Sequence, residues 1–298
     1  MRIFILVLSL ILNFEFSIYA VSEKYVDFGT DARSFVMGIS AINTIKGSGS
    51  TLINPAGIDE YPYNWLLFSH LNWIFGSTLD NIEIGFPFKD ICFASAGIMY
   101  FAPETFDVMN NNGDVSYSLS SYDMNIYSGI GKNFGPVKIG VNNKILIKKI
   151  GDYTGYGLSM DVGVRLFGNQ KDLFSFNIVA RDLLYKSIRI INFENTIFTK
   201  ILIGADISPL KNLHITLSSG VSKETPEFNG GLTYNLFNVM SFYSSFGVSD
   251  FNSVSGGFSY KHIIQNSRVL FFDLGYVKVL SDDISDEVPF RISVRYVY

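Results

Sequence analysis

From about residue 64 onward the chain falls into segments in which every second residue is apolar, separated by short clusters of Gly, Asn, Asp, Pro or Lys. A period of two puts successive side chains on opposite faces of a strand. In segment 158–166, Leu158, Met160, Val162, Val164 and Leu166 share one face, and Ser159, Asp161, Gly163 and Arg165 share the other. The pattern recurs where Ile139, Val141, Ile145 and Ile147 oppose Asn142, Lys144 and Lys148. It returns in the last segment, where Phe290, Ile292, Val294, Tyr296 and Tyr298 oppose Arg291, Ser293 and Arg295. Applied throughout, it predicts about fourteen strands, near 64–73, 79–87, 91–102, 121–133, 137–148, 154–168, 172–182, 199–208, 212–222, 226–236, 239–249, 252–261, 268–280 and 288–298. A dry core tolerates Asp161 and Arg165 only as a pair, whereas a wet lumen accepts them readily. The expectation is an all-β fold, a transmembrane antiparallel β-barrel over residues 64–298.

Connection length supports this. With the C terminus placed in the periplasm, the turns near 134–136, 168–171, 209–211, 237–238 and 262–267 fall on the periplasmic side, and the longer links 103–120, 183–198 and 281–287 fall outside. Short periplasmic turns and longer outer loops are the asymmetry of outer-membrane barrels. Trp65 and Trp73 share one face of the first strand, and their spacing predicts one indole in each interfacial girdle. Gly97 in the third strand is expected to mark a kink. Tyr298 ends an amphipathic final strand, like the signal read by the barrel assembly machinery.

Composition narrows the field. Of 298 residues, 23 are basic and 27 acidic, a net charge of −4 that gives no field for nucleic acid. Charged residues make up 17% and aromatics 15%, so the polar faces are mostly Gly, Ser and Asn, unlike the Lys- and Glu-rich surface of a soluble sandwich. The single Cys92 rules out an internal disulfide and reads as a small hydrophobe. At the N terminus, Arg2 precedes an apolar run from Ile3 to Leu12 and the small Ala20, which reads as a signal peptide over residues 1–20. That run is too short to span a bilayer as a helix.

Residues 21–63 alternate poorly and are rich in Gly. Asp31 is placed to cap a short helix through Arg33, Ser34 and Phe35 that stops at Gly38, and Asn54-Pro55-Ala56-Gly57 reads as a turn or helix start. A small mixed segment ahead of a barrel has one economical home, as a hatch inside the lumen. The stretch Gly29-Thr30-Asp31-Ala32-Arg33 to Met37-Gly38, followed by Asn54 to Gly57, resembles the PorV/PorQ family of outer-membrane proteins, related to fatty-acid transporters of the FadL type. The resemblance extends over most of the mature chain, with Lys46 among Gly and Ser standing where the family tends to be acidic. It implies a fourteen-stranded barrel plugged by a hatch carrying the Asn-Pro-Ala turn.

No metal motif, phosphate loop or nucleophile elbow is present, and no cofactor is expected. Ser69 and His70 lie on opposite strand faces and cannot share a proton, so an enzyme is not expected. The candidate residues are the hatch motifs Gly29, Arg33, Gly38, Asn54, Pro55, Ala56 and Gly57, and the lumen charges Lys144, Lys148, Asp161, Arg165, Arg181, Asp206, Asp273, Arg291 and Arg295. Those charges read as a paired network that seats the hatch, or as a polar wall along a substrate path. The expected role is passive transport of hydrophobic or amphipathic small molecules through the outer membrane; the alternatives are a partner that holds exported proteins for a secretion system, as the PorV resemblance implies, and a structural barrel. Outer-membrane lipid and the assembly machinery are the expected partners.

Overall fold

The computed structural model describes residues 24–60, 63–88, 91–109, 115–167, 173–186, 188–190, 193–195, 199–221, 226–249, 252–264, 268–280 and 287–298. The expected signal peptide lies outside them. Fourteen strands form one closed antiparallel barrel: β1 (Trp65–Asn72), β2 (Thr78–Phe88), β3 (Cys92–Ala102), β6 (Ser121–Asn133), β7 (Val137–Ile150), β8 (Tyr153–Phe167), β9 (Phe174–Lys186), β12 (Lys200–Leu210), β13 (Leu213–Val221), β14 (Pro226–Leu236), β15 (Met240–Val248), β16 (Ser253–Ile263), β17 (Val269–Val279) and β18 (Phe290–Val297). Closure pairs the first strand with the last, Trp65 opposite Val297 and Asn72 opposite Phe290. Two links expected as plain loops contain hairpins of their own, β4 (Phe106–Met109) with β5 (Val115–Leu119) and β10 (Ile188–Ile190) with β11 (Phe193–Asn195).

The polarity of the wall is the reverse of a soluble protein. Leu158 is 49% exposed and Ile292 47%, while Arg165 and Arg291 are wholly buried. An apolar outer face with charge inside is stable when acyl chains, rather than water, surround it. Asn and Ser fill many of the other inward positions, which a purely hydrophobic core would exclude.

Residues 24–60 fill the lumen. Asp31 caps helix α1 (Ala32–Met37): its carboxylate accepts from Ser34 N at 2.8 Å, and the Ser34 hydroxyl accepts from Asp31 N. The helix stops at Gly38, whose φ of 53° lies in the left-handed region open to glycine. A second short helix, α2 (Ala41–Thr44), and a 3-10 turn over Pro55–Glu60 complete the plug. Two apolar clusters hold it. Tyr25, Phe35 and Leu52 pack on Leu71, Leu79 and Met99, and Met37, Ile42 and Ile53 pack on Val179 and Leu202.

That packing corrects two expectations. Trp65 and Trp73 point inward rather than into membrane girdles: Trp65 stacks on Phe93 at 4.5 Å beside Ile58, and Trp73 lies 4.1 Å from Phe28. Because the plug supplies apolar surface to the lumen, β1 is apolar on both faces and its indoles find more contact inside. Gly97 marks no kink either. It pairs regularly with Glu83 and Tyr127, and it is small because the Tyr127 phenol occupies the space a Cβ would need.

Candidate functional site

The lumen is built from three kinds of contact between plug and wall. The first is steric. Gly131, Gly140 and Gly163 face one another across β6, β7 and β8, a row without side chains. The Asn54-Pro55-Ala56 turn lies on that row, and a Cβ added at Gly140 would sit inside the Pro55 carbonyl. Asn54 fixes the turn from both ends of its amide: Oδ1 accepts from Ala56 N at 3.1 Å, and Nδ2 donates to Ile42 O at 3.0 Å and to Asn177 Oδ1 at 3.2 Å. Gly57 N bonds Asn54 O at 2.8 Å, which closes the turn. On the opposite wall Gly231, Gly257 and Gly275 make room for Val36 and Met37 of α1.

The second contact is guanidinium on backbone carbonyls. Arg165 Nη2 donates to Ile42 O and Asn43 O at 3.0 and 3.2 Å and reaches Ile45 O at 3.4 Å, supplying donors for the last carbonyls of α2. Arg291 donates to Phe28 O at 2.9 Å, to Gly29 O at 2.6 Å and to Ser69 Oγ. Arg181 Nη2 donates to Ile53 O at 3.2 Å. A guanidinium suits this task because its fork reaches several acceptors without a rotation.

The third is charge pairing. Asp27 of the plug bonds Arg181 at 2.9 Å and Lys200 at 3.1 Å. Burial alone would raise the Asp27 carboxyl, but the two cations hold it below its ordinary value. Arg33 grips Asp31 at 2.6 Å. Burial opposes the Arg33 charge, yet this carboxylate keeps the guanidinium above its ordinary range. In the wall, Lys144 Nζ lies 2.6 Å from both Asp161 and Asp182, Lys148 pairs with Asp123, and Arg295 pairs with Asp273.

Every lumen charge named from the sequence lies inside the barrel, but they form several groups rather than one. Arg165, Arg181 and Arg291 touch the plug; Lys144 with Asp161, and Arg295 with Asp273, tie strand to strand. Asp206 stands apart near the end that carries the short turns, 3.4 Å from His214 Nδ1, the same nitrogen that bonds Ser208 Oγ at 2.8 Å. A hydrolytic triad needs its acid and its hydroxyl on opposite ring nitrogens, so this trio is structural. Tyr298 bonds Asn64 O through its backbone N–H at the barrel seam, and its ring stacks on Tyr296.

Residues that sequence reasoning missed complete the grip. Glu83 is wholly buried and accepts from Thr51 Oγ1 at 2.8 Å, Gly49 N at 3.3 Å and Tyr127 OH at 3.2 Å. Alternation along β2 already puts it on the face of Leu79 and Asn81. Asp182 is harder to find: strict alternation aims it at lipid, but a bulge in β9 turns it inward beside Arg181, at a φ of 57°. One irregularity thus sends Arg181 to the plug and Asp182 to Lys144.

No family model and no curated protein sequence matches the chain. Solved structures do. The chain is similar to the "CymD monoaromatic hydrocarbon channel" (TM-score 0.63, 11% identity, 91% of this chain and 97% of that one). It is also similar to the Pseudomonas putida toluene transporter TodX (0.62, 9%, 94% and 98%) and to a Pseudomonas aeruginosa FadL homologue (0.56, 8%, 91% and 98%). The fold is FadL-like. At these identities the likeness concerns architecture, and it covers nearly the whole of each neighbour.

Proposed function

We propose that this chain is an outer-membrane conduit for the passive passage of apolar or amphipathic small molecules, with residues 24–60 as its plug. The observation that carries the reading is the plug itself: a segment held in the bore by hydrogen bonds, ion pairs, close contacts over glycine and two apolar clusters, inside a wall whose outer face is apolar. A purely structural barrel fills its bore with its own wall side chains, whereas this wall gives up side chains in rows so that a separate segment fits. The FadL-like neighbours named as hydrocarbon channels support the same reading, and it needs no enzymatic group. At the loop-bearing end Tyr25 stacks on Phe101 and Phe28 packs on Trp73. Lifting the plug at this end requires breaking the Asp27 pairs and separating Phe28 from Trp73.

The test is flux into liposomes of small amphiphiles that cross lipid slowly unaided. Deleting residues 21–61 is expected to raise that flux several-fold over the intact chain. Equal flux through intact and deleted barrels, at equal insertion, overturns the proposal.

A further inference from the structure

We propose that the cavity at the short-turn end of the barrel is a binding site for aromatic carboxylates. This cavity has a volume of about 650 Å³ and lies between the plug and strands β12 to β18 and β1. That is the size of a small-molecule site and leaves ample room for a one- or two-ring acid. Its apolar lining includes four aromatic rings, Tyr63, Trp65, Tyr243 and Phe271, beside Met37, Ile45 and three valines. Flat ligands gain edge and face contacts from such walls that an alkyl chain does not.

Charge decides the other half of the ligand. Arg33, Lys46, Lys261 and Arg295 line the cavity, against one carboxylate, Asp206. Arg33 is held by Asp31 and Arg295 by Asp273, so those two charges are compensated from behind. Lys261 differs. It occupies an inward position of β16, is only partly exposed, and its ammonium has no ion-pair or hydrogen-bond partner among the described residues. Across the sheet Lys261 stands opposite Phe271, and on the far side of Phe271 the Arg295 guanidinium lies 4.2 Å from the ring centroid. An acid whose ring lies against Phe271 and Tyr243 brings its carboxylate to Lys261. A neutral hydrocarbon in the same place would strip water from an unpaired ammonium and return nothing for it. The site stands whether or not the barrel conducts, because it opens to solvent with the plug in place.

Equilibrium dialysis of the full chain in detergent micelles tests this, with 2-naphthoate as the probe and naphthalene and decanoate as comparators. Wild type is expected to bind one 2-naphthoate saturably above micelle partition, with affinity that falls as salt rises. Lys261→Met is expected to weaken binding at least tenfold and Lys261→Arg to restore most of it, while the uptake of naphthalene does not change. Equal affinity in Lys261→Met, uptake that never saturates, or displacement by decanoate at lower concentration than by a second aryl acid would each overturn the assignment. Lys261 has no partner to lose among the described residues, so the variants are expected to keep the fold, and resistance of the barrel to unfolding in SDS before heating verifies it. Failure here leaves the liposome result untouched, and failure of flux leaves this site standing.

Discussion

Placing a methyl group at Gly140 should unseat the plug while leaving the barrel intact. The new Cβ would fall 2.5 Å from Ala56 N and closer still to the Pro55 carbonyl, both backbone atoms on a turn fixed by Asn54. Neither side yields cheaply: β7 is paired on both flanks, and the turn is bonded to Ile42 and Asn177. Overpacking of this kind costs about 1–3 kcal/mol. Near the upper limit, that is a shift on the order of 100-fold in the seated-to-lifted ratio. In an ordinary strand Gly→Ala is mildly stabilising through the unfolded chain, by roughly 0.4–1 kcal/mol, so the sign itself discriminates. Gly230, with only Leu217 Cδ2 at 3.6 Å, is the control. Hydrogen exchange is the assay. Amides of the turn around Ala56 and Gly57 should lose protection on the order of 100-fold in Gly140→Ala, with strands β6 to β8 unchanged and Gly230→Ala like wild type. Unchanged protection in Gly140→Ala, or equal loss in both variants, refutes the steric argument.

Three further outcomes follow from the same contacts. Trp65 and Trp73 should be quenched far less by lipids brominated on their acyl chains than a tryptophan placed outward by Phe68→Trp; comparable quenching would return them to the membrane side. Arg165→Met leaves the buried carbonyls of Ile42, Asn43 and Ile45 without this donor and should lower stability to denaturant by roughly 2–4 kcal/mol, checked by urea unfolding from lipid vesicles. Since Asp27 titrates below its ordinary value, its tether is fully present above the unfolded carboxylate value near 4 and is lost as pH falls through the folded value. In a Trp65→Phe background, Trp73 emission should therefore hold steady from pH 8 to about pH 5 and shift at lower pH, while Asp27→Asn should show the shifted spectrum throughout.

Most of the barrel was legible because lipid and lumen impose opposite chemistries on alternate residues. Where the lumen is itself apolar the rule fails: Trp65-Leu66-Leu67-Phe68 reads the same on both faces, which hid the direction of the indoles. A local insertion in register hides residues too, as with Asp182, although a charge at a lipid-facing position was the available signal. The plug motifs were readable as capping and turn chemistry, since Asp31, Gly38 and Asn54 act within a few residues of themselves. Their seat was not, because Gly131, Gly140 and Gly163 meet only once three strands are in register. These motifs answer to the geometry of a plugged FadL-like bore, so they speak for the fold more strongly than for the PorV/PorQ branch.

Arg291 sits on β18, the last barrel strand in chain order, yet its guanidinium holds carbonyls of Phe28 and Gly29, among the first described residues of the plug, and the Ser69 hydroxyl on β1. The side chain that lies at the seam is therefore also a clasp on the stopper. A chain cut short before residue 291 would lack both the zip and the clasp, which makes correct insertion conditional on synthesis through β18.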